Sequence, residues 1–365
     1  MWYNTGMNTQ KTSIRPNILE MPGYVPGEQP QSGTFVKLNT NESPYPPSEK
    51  IVDACAAVIR RGLHRYPDPM GNAFRRAASE VLGVPMDFIM AGNGSDDILT
   101  ILTRTFVGEG ETLRLPYPSY ILYKSLAQLQ GAKSEEVLFD ENWKLTPQFA
   151  AATPGLKLVY LPNPNSPSGT LVPREEIVRL LNELPCPLVV DEAYADFAET
   201  NCVDLVLEHK NLIVTRTLSK SYALAGLRFG FVIANPELIE QFVKVKDSYN
   251  CDALSIAAAT AAISDREWFQ MHIARTLKMR AQMEQQLAEL GFCVTPSHSN
   301  FIWCTHPTWN LKRIYETLKA QNIFVRYMPY TQWPVNRGEG LRISVGTPEE
   351  VAILIERLKE ILPTD

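Results

Sequence analysis

Residues 211–230 read NLIVTRTLSKSYALAGLRFG. Leu212 to Val214 form an apolar run with β-branched Ile213 and Val214, the pattern of a buried strand. A short hydroxyl-rich loop follows with Thr217, Ser219 and Lys220, and then Arg228. Hydroxyls and a guanidinium suit a phosphate group. A lysine beside such a site, just past a strand end, suits a Schiff base to a phosphorylated aldehyde, pyridoxal phosphate.

A second strand supports this reading. Residues 187–197, PLVVDEAYADF, run from an apolar segment into Asp191 and then Tyr194. An aspartate at the pyridine nitrogen keeps that nitrogen protonated, so the ring can accept electrons. In an open parallel sheet the strands deliver their carboxyl ends to one edge, where ligands bind. Asp191 and Lys220 would then face one cofactor. Taken singly, a lysine after a strand is ordinarily a solvated loop residue, and Asp-Glu after an apolar run is often a helix cap or a magnesium ligand. It is the combination, with Arg228 in place, that points to the cofactor.

Outward from these strings, short apolar runs alternate with helical patterns between about 88 and 235. They are Phe88 to Met90, Thr112 to Leu115, Leu156 to Leu161, Leu188 to Val190, Leu212 to Val214 and Phe231 to Ala234. Such alternation argues an α/β fold with a mostly parallel central sheet flanked by helices. Residues 49–62 and 71–82 read as helices, and 255–290 as one long helical region connecting two domains. After Gly291, strand-like pieces surround a helix at 310–321, and another runs 348–361, the texture of a small α+β domain. The first 35 residues, rich in proline and glycine, read as an extended arm. The expected division is an arm at 1–45 contributing to the small domain and to dimer contacts, a large cofactor-binding domain at 46–265, and a small domain at 266–365.

Composition narrows the function. The chain has 365 residues, 45% hydrophobic and 21% charged, which fits a soluble protein with a large core. A net charge of −5 gives no sign of nucleic-acid or membrane-surface binding. The six cysteines are scattered without a CxxC pair, as in a reduced, cytoplasmic protein, and no metal site is expected. The polar start MWYNTGMNTQ lacks the apolar core of a signal peptide. No apolar run reaches the roughly 18 residues that a membrane span needs.

Three further stretches carry candidates. In GNGSDDILTIL (92–102) a glycine turn leads into a helix near Ser95 or Asp96, and helix N-terminal amides make an anion site. The plainer reading is an ordinary N-cap. In PYPSYILY (116–123), Tyr120 is the candidate for stacking on the pyridine ring. NPNSPSG (163–169) is a turn whose amides or hydroxyls could meet the cofactor's 3′-oxygen.

With these residues in hand, the chain resembles the fold-type I pyridoxal-phosphate aminotransferases over nearly its whole length. The strings that carry the likeness are LNTNESPYPPS (38–48), HRYPDP (64–69), GNGSDDIL (92–99), NPNSPSG (163–169), DEAYADF (191–197), TLSKSYALAGLRFG (217–230), SNF (299–301) and LRISVGT (341–347). The resemblance implies that Lys220 holds the cofactor and shuttles the proton between Cα and C4′. Asp191 would pair with the ring nitrogen and Tyr194 with the 3′-oxygen, while Tyr120 stacks. Gly94, Ser95, Asp96, Thr217, Ser219 and Arg228 would surround the phosphate. Tyr66 would reach the cofactor phosphate of the neighbouring subunit, making the active unit a homodimer. Arg342 would grip the anionic end of the substrate, with Arg326, Tyr24, Asn41 and Asn300 beside it.

Many relatives carry Asn-Asn-Pro-Thr-Gly in the turn, and its second asparagine meets the 3′-oxygen. Ser166 stands there in this chain, preceded by Asn165. Either the serine hydroxyl substitutes, or Asn165 reaches in, or Tyr194 acts alone. The implied reaction moves an amino group between an anionic donor and 2-oxoglutarate. Transamination of an amino alcohol phosphate, transamination of aromatic amino acids and decarboxylation of an amino-acid phosphate share these strings. Pocket shape separates them.

Overall fold

The computed structural model describes residues 13–23, 27–30, 32–330 and 338–362. In chain order the strands are β1 (Val36–Lys37), β2 (Ile89–Gly92), β3 (Thr112–Tyr117), β4 (Lys133–Leu138), β5 (Leu156–Pro162), β6 (Leu188–Asp191), β7 (Leu212–Thr217), β8 (Gly230–Ala234), β9 (Cys293–Thr295), β10 (Phe301–Thr305), β11 (Ile323–Phe324), β12 (Arg326–Pro329) and β13 (Glu339–Ser344). The helices are α1 (Pro16–Glu20), α2 (Glu49–Arg61), α3 (Asn72–Leu82), α4 (Ser95–Phe106), α5 (Leu122–Gln130), α6 (Arg174–Glu183), α7 (Pro236–Val245), α8 (Ala253–Ser264), α9 (Arg266–Glu289), α10 (Leu311–Ala320) and α11 (Pro348–Ile361).

The central sheet has seven strands in the order β2-β8-β7-β6-β5-β3-β4. The β6–β7, β5–β6, β3–β5 and β3–β4 pairs are parallel, as the alternation of strand and helix predicts. β8 runs antiparallel to both β7 and β2. Residues 218–229 between β7 and β8 form no crossover helix, and without one a parallel return is not available. That loop carries Lys220 and Arg228 instead. Alternate residues feed the two faces of the sheet: Leu158, Val189, Ile213 and Val232 pack with α4, α5 and α7, while Val159, Val190, Val214 and Ile233 pack with α3, α6 and α8.

A second apolar cluster joins Met283 and Leu287 of α9 to Ile302, Leu341 and Leu354, and includes Val36 and Leu38 of the arm. Its antiparallel sheet has the order β12-β13-β10-β9, and β1 pairs in parallel with β11. Phe269, at the start of α9, belongs to the large-sheet cluster, so this helix spans both. The division at residues 45/46 and 265/266 stands as a proposal, and Phe269 of the large-sheet cluster lies past its second boundary.

Three expectations need correction. The long helical region is two helices, broken where Asp265 accepts hydrogen bonds from Ser48 Oγ (2.5 Å) and Lys50 Nζ (2.7 Å). β4 was not foreseen, because KSEEVL carries the charges that protect an edge strand and hide its pattern. The arm is not extended throughout: α1 forms one turn, and Arg15 and Asn17 donate to the carbonyls of Leu129 and Gln128 at the end of α5.

Candidate active site

A cavity of about 860 Å³ lies at the carboxyl ends of β3, β5, β6 and β7. Asp191, the last residue of β6, reaches it from beneath and is 5% exposed. Burial pushes its carboxyl up from the ordinary range, while hydrogen bonds from the Tyr123 hydroxyl (2.6 Å) and the Thr215 hydroxyl (3.1 Å) pull the other way. The nearby charge of Asp96 adds to the upward push. A buried carboxylate facing a cavity, with a like charge nearby, fits a protonated ring nitrogen.

Lys220 sits in the loop after β7 and lines the same cavity. Its Nζ donates to the Thr40 carbonyl at 3.2 Å and lies 6.0 Å from the centre of the Tyr194 ring. The Tyr194 hydroxyl accepts from Asn41 Nδ2 at 2.9 Å. Asn41 is braced in turn by Ser344 and by Asn300, whose Nδ2 donates to the Asn41 carbonyl at 3.0 Å.

The anion corner is built where two loops meet. α4 begins at Ser95, and its N-cap is Gly94, which has no side chain to cap the first-turn amides. A Cβ on Gly94 would come within 2.9 Å of Arg228 Nη2, and one on Gly230 within 2.5 Å of the Ser95 amide. Both glycines therefore admit the guanidinium and let the loops close. Arg228 itself takes a left-handed backbone (φ 51°), which is costly outside glycine and turns its side chain toward this corner. It approaches Asp96 at 3.5 Å and Ser219 Oγ at 3.5 Å. Ser95, Thr217 and Ser219 line the cavity beside it, and the Tyr120 hydroxyl donates to Asp96 at 3.2 Å. The donor set of amides, hydroxyls and one guanidinium fits a phosphate.

On the opposite wall, Arg326 of β12 and Arg342 of β13 face each other in register. Arg342 donates to Ser166 Oγ and to the Asn39 carbonyl, each at 3.0 Å, and its guanidinium lies 5.4 Å from the Phe301 ring centre.

Some expected site residues are placed elsewhere. Ser166 lines the cavity, whereas Asn165 is turned away, its amide donating to the Pro118 carbonyl (3.3 Å) and Ser168 Oγ (2.9 Å). Gly94 acts through the room it leaves, and Asn300 acts through Asn41. Tyr66 does not line this chain's cavity; it is 80% exposed and stacks on Tyr249 at 4.4 Å. Tyr24 lies outside the described residues.

Sequence reasoning missed Tyr123, although it sits in the quoted string with Tyr120. It also missed an ion cluster under the loop. Arg216 of β7 is buried against Glu192 (2.8 Å) and Asp196 (2.7 Å), and Ser221 Oγ donates to Asp196. This cluster ties the chain after Asp191 to the chain after Lys220. Arg216→Leu should lower unfolding free energy by about 3–5 kcal/mol, because it leaves a buried carboxylate without its partner. A urea titration showing a loss below about 1 kcal/mol would remove that role.

The model of the family "Aminotransferase class I and II" matches residues 34–358. A histidinol-phosphate aminotransferase of Rhodopirellula baltica is 55% identical over 352 residues, covering 95% of this chain and 96% of its own. Histidinol-phosphate aminotransferase 1 of Trichormus variabilis is 45% identical, covering 96% of this chain and 99% of its own. The crystal structure of histidinol-phosphate aminotransferase from Sinorhizobium meliloti, in complex with pyridoxal-5′-phosphate, superposes with a TM-score of 0.88. It is 25% identical and covers 97% of this chain and 98% of its own.

Proposed function

Because the chain belongs to the class I and II aminotransferase family, we propose that it transfers an amino group between L-histidinol phosphate and 2-oxoglutarate with pyridoxal phosphate as cofactor. The products are imidazole acetol phosphate and L-glutamate, in histidine biosynthesis. One observation carries this reading: a single cavity sets Lys220, Asp191 and an anion corner opposite two arginines.

When bound, pyridoxal phosphate supplies an electron-accepting ring conjugated to the substrate Cα. Lys220 Nζ would carry the proton between the substrate Cα and the cofactor C4′, which lies across the intervening nitrogen. Asp191 would hold a proton on the ring nitrogen, and the Tyr194 hydroxyl, oriented by Asn41, would meet the 3′-oxygen. Ser95, Thr217, Ser219 and Arg228 would hold the phosphate, and Tyr120 would cover the ring. Arg342 and Arg326 fix the anionic end of each substrate, and Ser166 orients Arg342.

The test is a panel with 2-oxoglutarate as acceptor and histidinol phosphate, phenylalanine, tyrosine and threonine phosphate as donors. Fastest turnover of histidinol phosphate is expected. Preference for the aromatic amino acids makes the enzyme a broader aminotransferase, and carbon dioxide release from threonine phosphate makes it a decarboxylase.

The enzyme works as a cytoplasmic homodimer in this proposal. No described helix is long and apolar enough to cross a membrane. The exposed Tyr66–Tyr249 pair suits a contact with a second copy, whose cofactor phosphate Tyr66 then reaches. Mixing Tyr66→Ala subunits with Lys220→Ala subunits, both inactive, gives hybrids with one intact site each. Activity should return to about a quarter of wild type in an equal mixture. No recovery after demonstrated subunit exchange would sink the shared site.

A further inference from the structure

Tyr123 lies on the buried side of α5, with its ring stacked on Tyr160 (4.7 Å, 15° between planes) and Tyr120 meeting it edge-on at 5.6 Å. Tyr160 is fixed by its own hydroxyl, which donates to the Leu99 carbonyl (2.9 Å) and shares a hydrogen bond with Thr103 (2.8 Å). The Tyr123 ring therefore has little freedom, and its hydroxyl is aimed at Asp191 Oδ2, 2.6 Å away. Asp191 Oδ1 accepts from Thr215 (3.1 Å) and from the Ala193 amide (3.3 Å). Among the described residues, Oδ2 accepts from Tyr123 alone.

We infer that Tyr123 is a positioning residue that decides where the proton between Asp191 and the cofactor's ring nitrogen resides. A short O–H donation to a carboxylate is charge-assisted and lowers that carboxylate's affinity for a further proton. Burial acts on Asp191 in the opposite sense, toward the neutral acid, so without the donor the proton moves from nitrogen to oxygen and the ring accepts electrons less well. Burial also pushes the Tyr123 phenol well up, which keeps it a donor at every working pH. The inference rests on the proposed pairing of Asp191 with the ring nitrogen.

The experiment uses holoenzyme reconstituted with pyridoxal phosphate labelled with ¹⁵N in the ring, read by the nitrogen chemical shift and by steady-state kinetics. Tyr123→Phe removes one oxygen and keeps the stacked ring. It should move the ring-nitrogen signal toward the unprotonated position and lower kcat about tenfold to a hundredfold, with KM little changed. An unmoved signal overturns the inference whatever happens to kcat. If Tyr123→Phe does not fold, 4-fluorophenylalanine placed at position 123, which fills the hydroxyl's space without donating, should move the signal the same way, and an unmoved signal there overturns it equally. Asp191→Asn is measured in parallel. A shift there without one in Tyr123→Phe refutes only the role of Tyr123, whereas no shift in Asp191→Asn refutes the pairing beneath it.

Discussion

Lys220→Ala yields folded protein that turns over no substrate, with kcat down by about four powers of ten or more. One amine both holds the cofactor and moves the proton, so one substitution removes both. The fold survives because, among the described residues, Lys220 Nζ contributes a single hydrogen bond, to the Thr40 carbonyl, worth about 1 kcal/mol. Borohydride reduction of the wild-type holoenzyme should fix the cofactor to the peptide carrying Lys220. An adduct mapped to another lysine, or turnover by Lys220→Ala within a few fold of wild type, would falsify the central assignment.

Arg342→Ala should cost roughly two to four powers of ten in kcat/KM for both half-reactions, since two charge-assisted hydrogen bonds of about 1.5–3 kcal/mol each are lost. Both substrates present an anion near the reacting amine, and a guanidinium can pair bidentately with carboxylate or phosphate. Its position supports this: the guanidinium lies on the cavity wall, steadied by Ser166 and the Asn39 carbonyl, with Arg326 beside it in register. Histidinol in place of histidinol phosphate should impair only the first half-reaction, and by a similar factor. Single-turnover measurements of the two halves separate these effects. Equal use of histidinol and its phosphate would return the assignment to a broader aminotransferase.

Lys220, Asp191 and Arg228 were legible because each follows an apolar run in a short local string, and the parallel sheet brings strand ends together by rule. What stayed hidden depends on partners far along the chain. Asn165 and Ser166 are neighbours with equal claims in the sequence; the turn's packing against Pro118 decides that the serine faces inward. Gly94 reads as part of an anion loop, yet its place is explained by Arg228 passing 2.9 Å from where a side chain would begin. Tyr123 is one of three tyrosines in eight residues, and nothing local distinguishes the one that meets Asp191. The antiparallel return of β8 follows from a loop, residues 218–229, that forms no crossover helix. Arg216 looked like any polar residue at a strand end until its two acids folded over it.

The pairing of β1 with β11 bears on how the chain is made. Val36 and Lys37 leave the ribosome early, but Ile323 and Phe324, their partners, come only with the last part of the chain. The large sheet, whose strands lie between residues 89 and 234, is synthesised in full before then. A nascent chain can thus assemble the Lys220 and Asp191 side of the cavity while the arm, with Thr40 and Asn41, has no strand to join. A chain truncated before residue 323 would lack the partner strand of β1 together with Arg326 and Arg342, and so would lack the substrate side of the cavity.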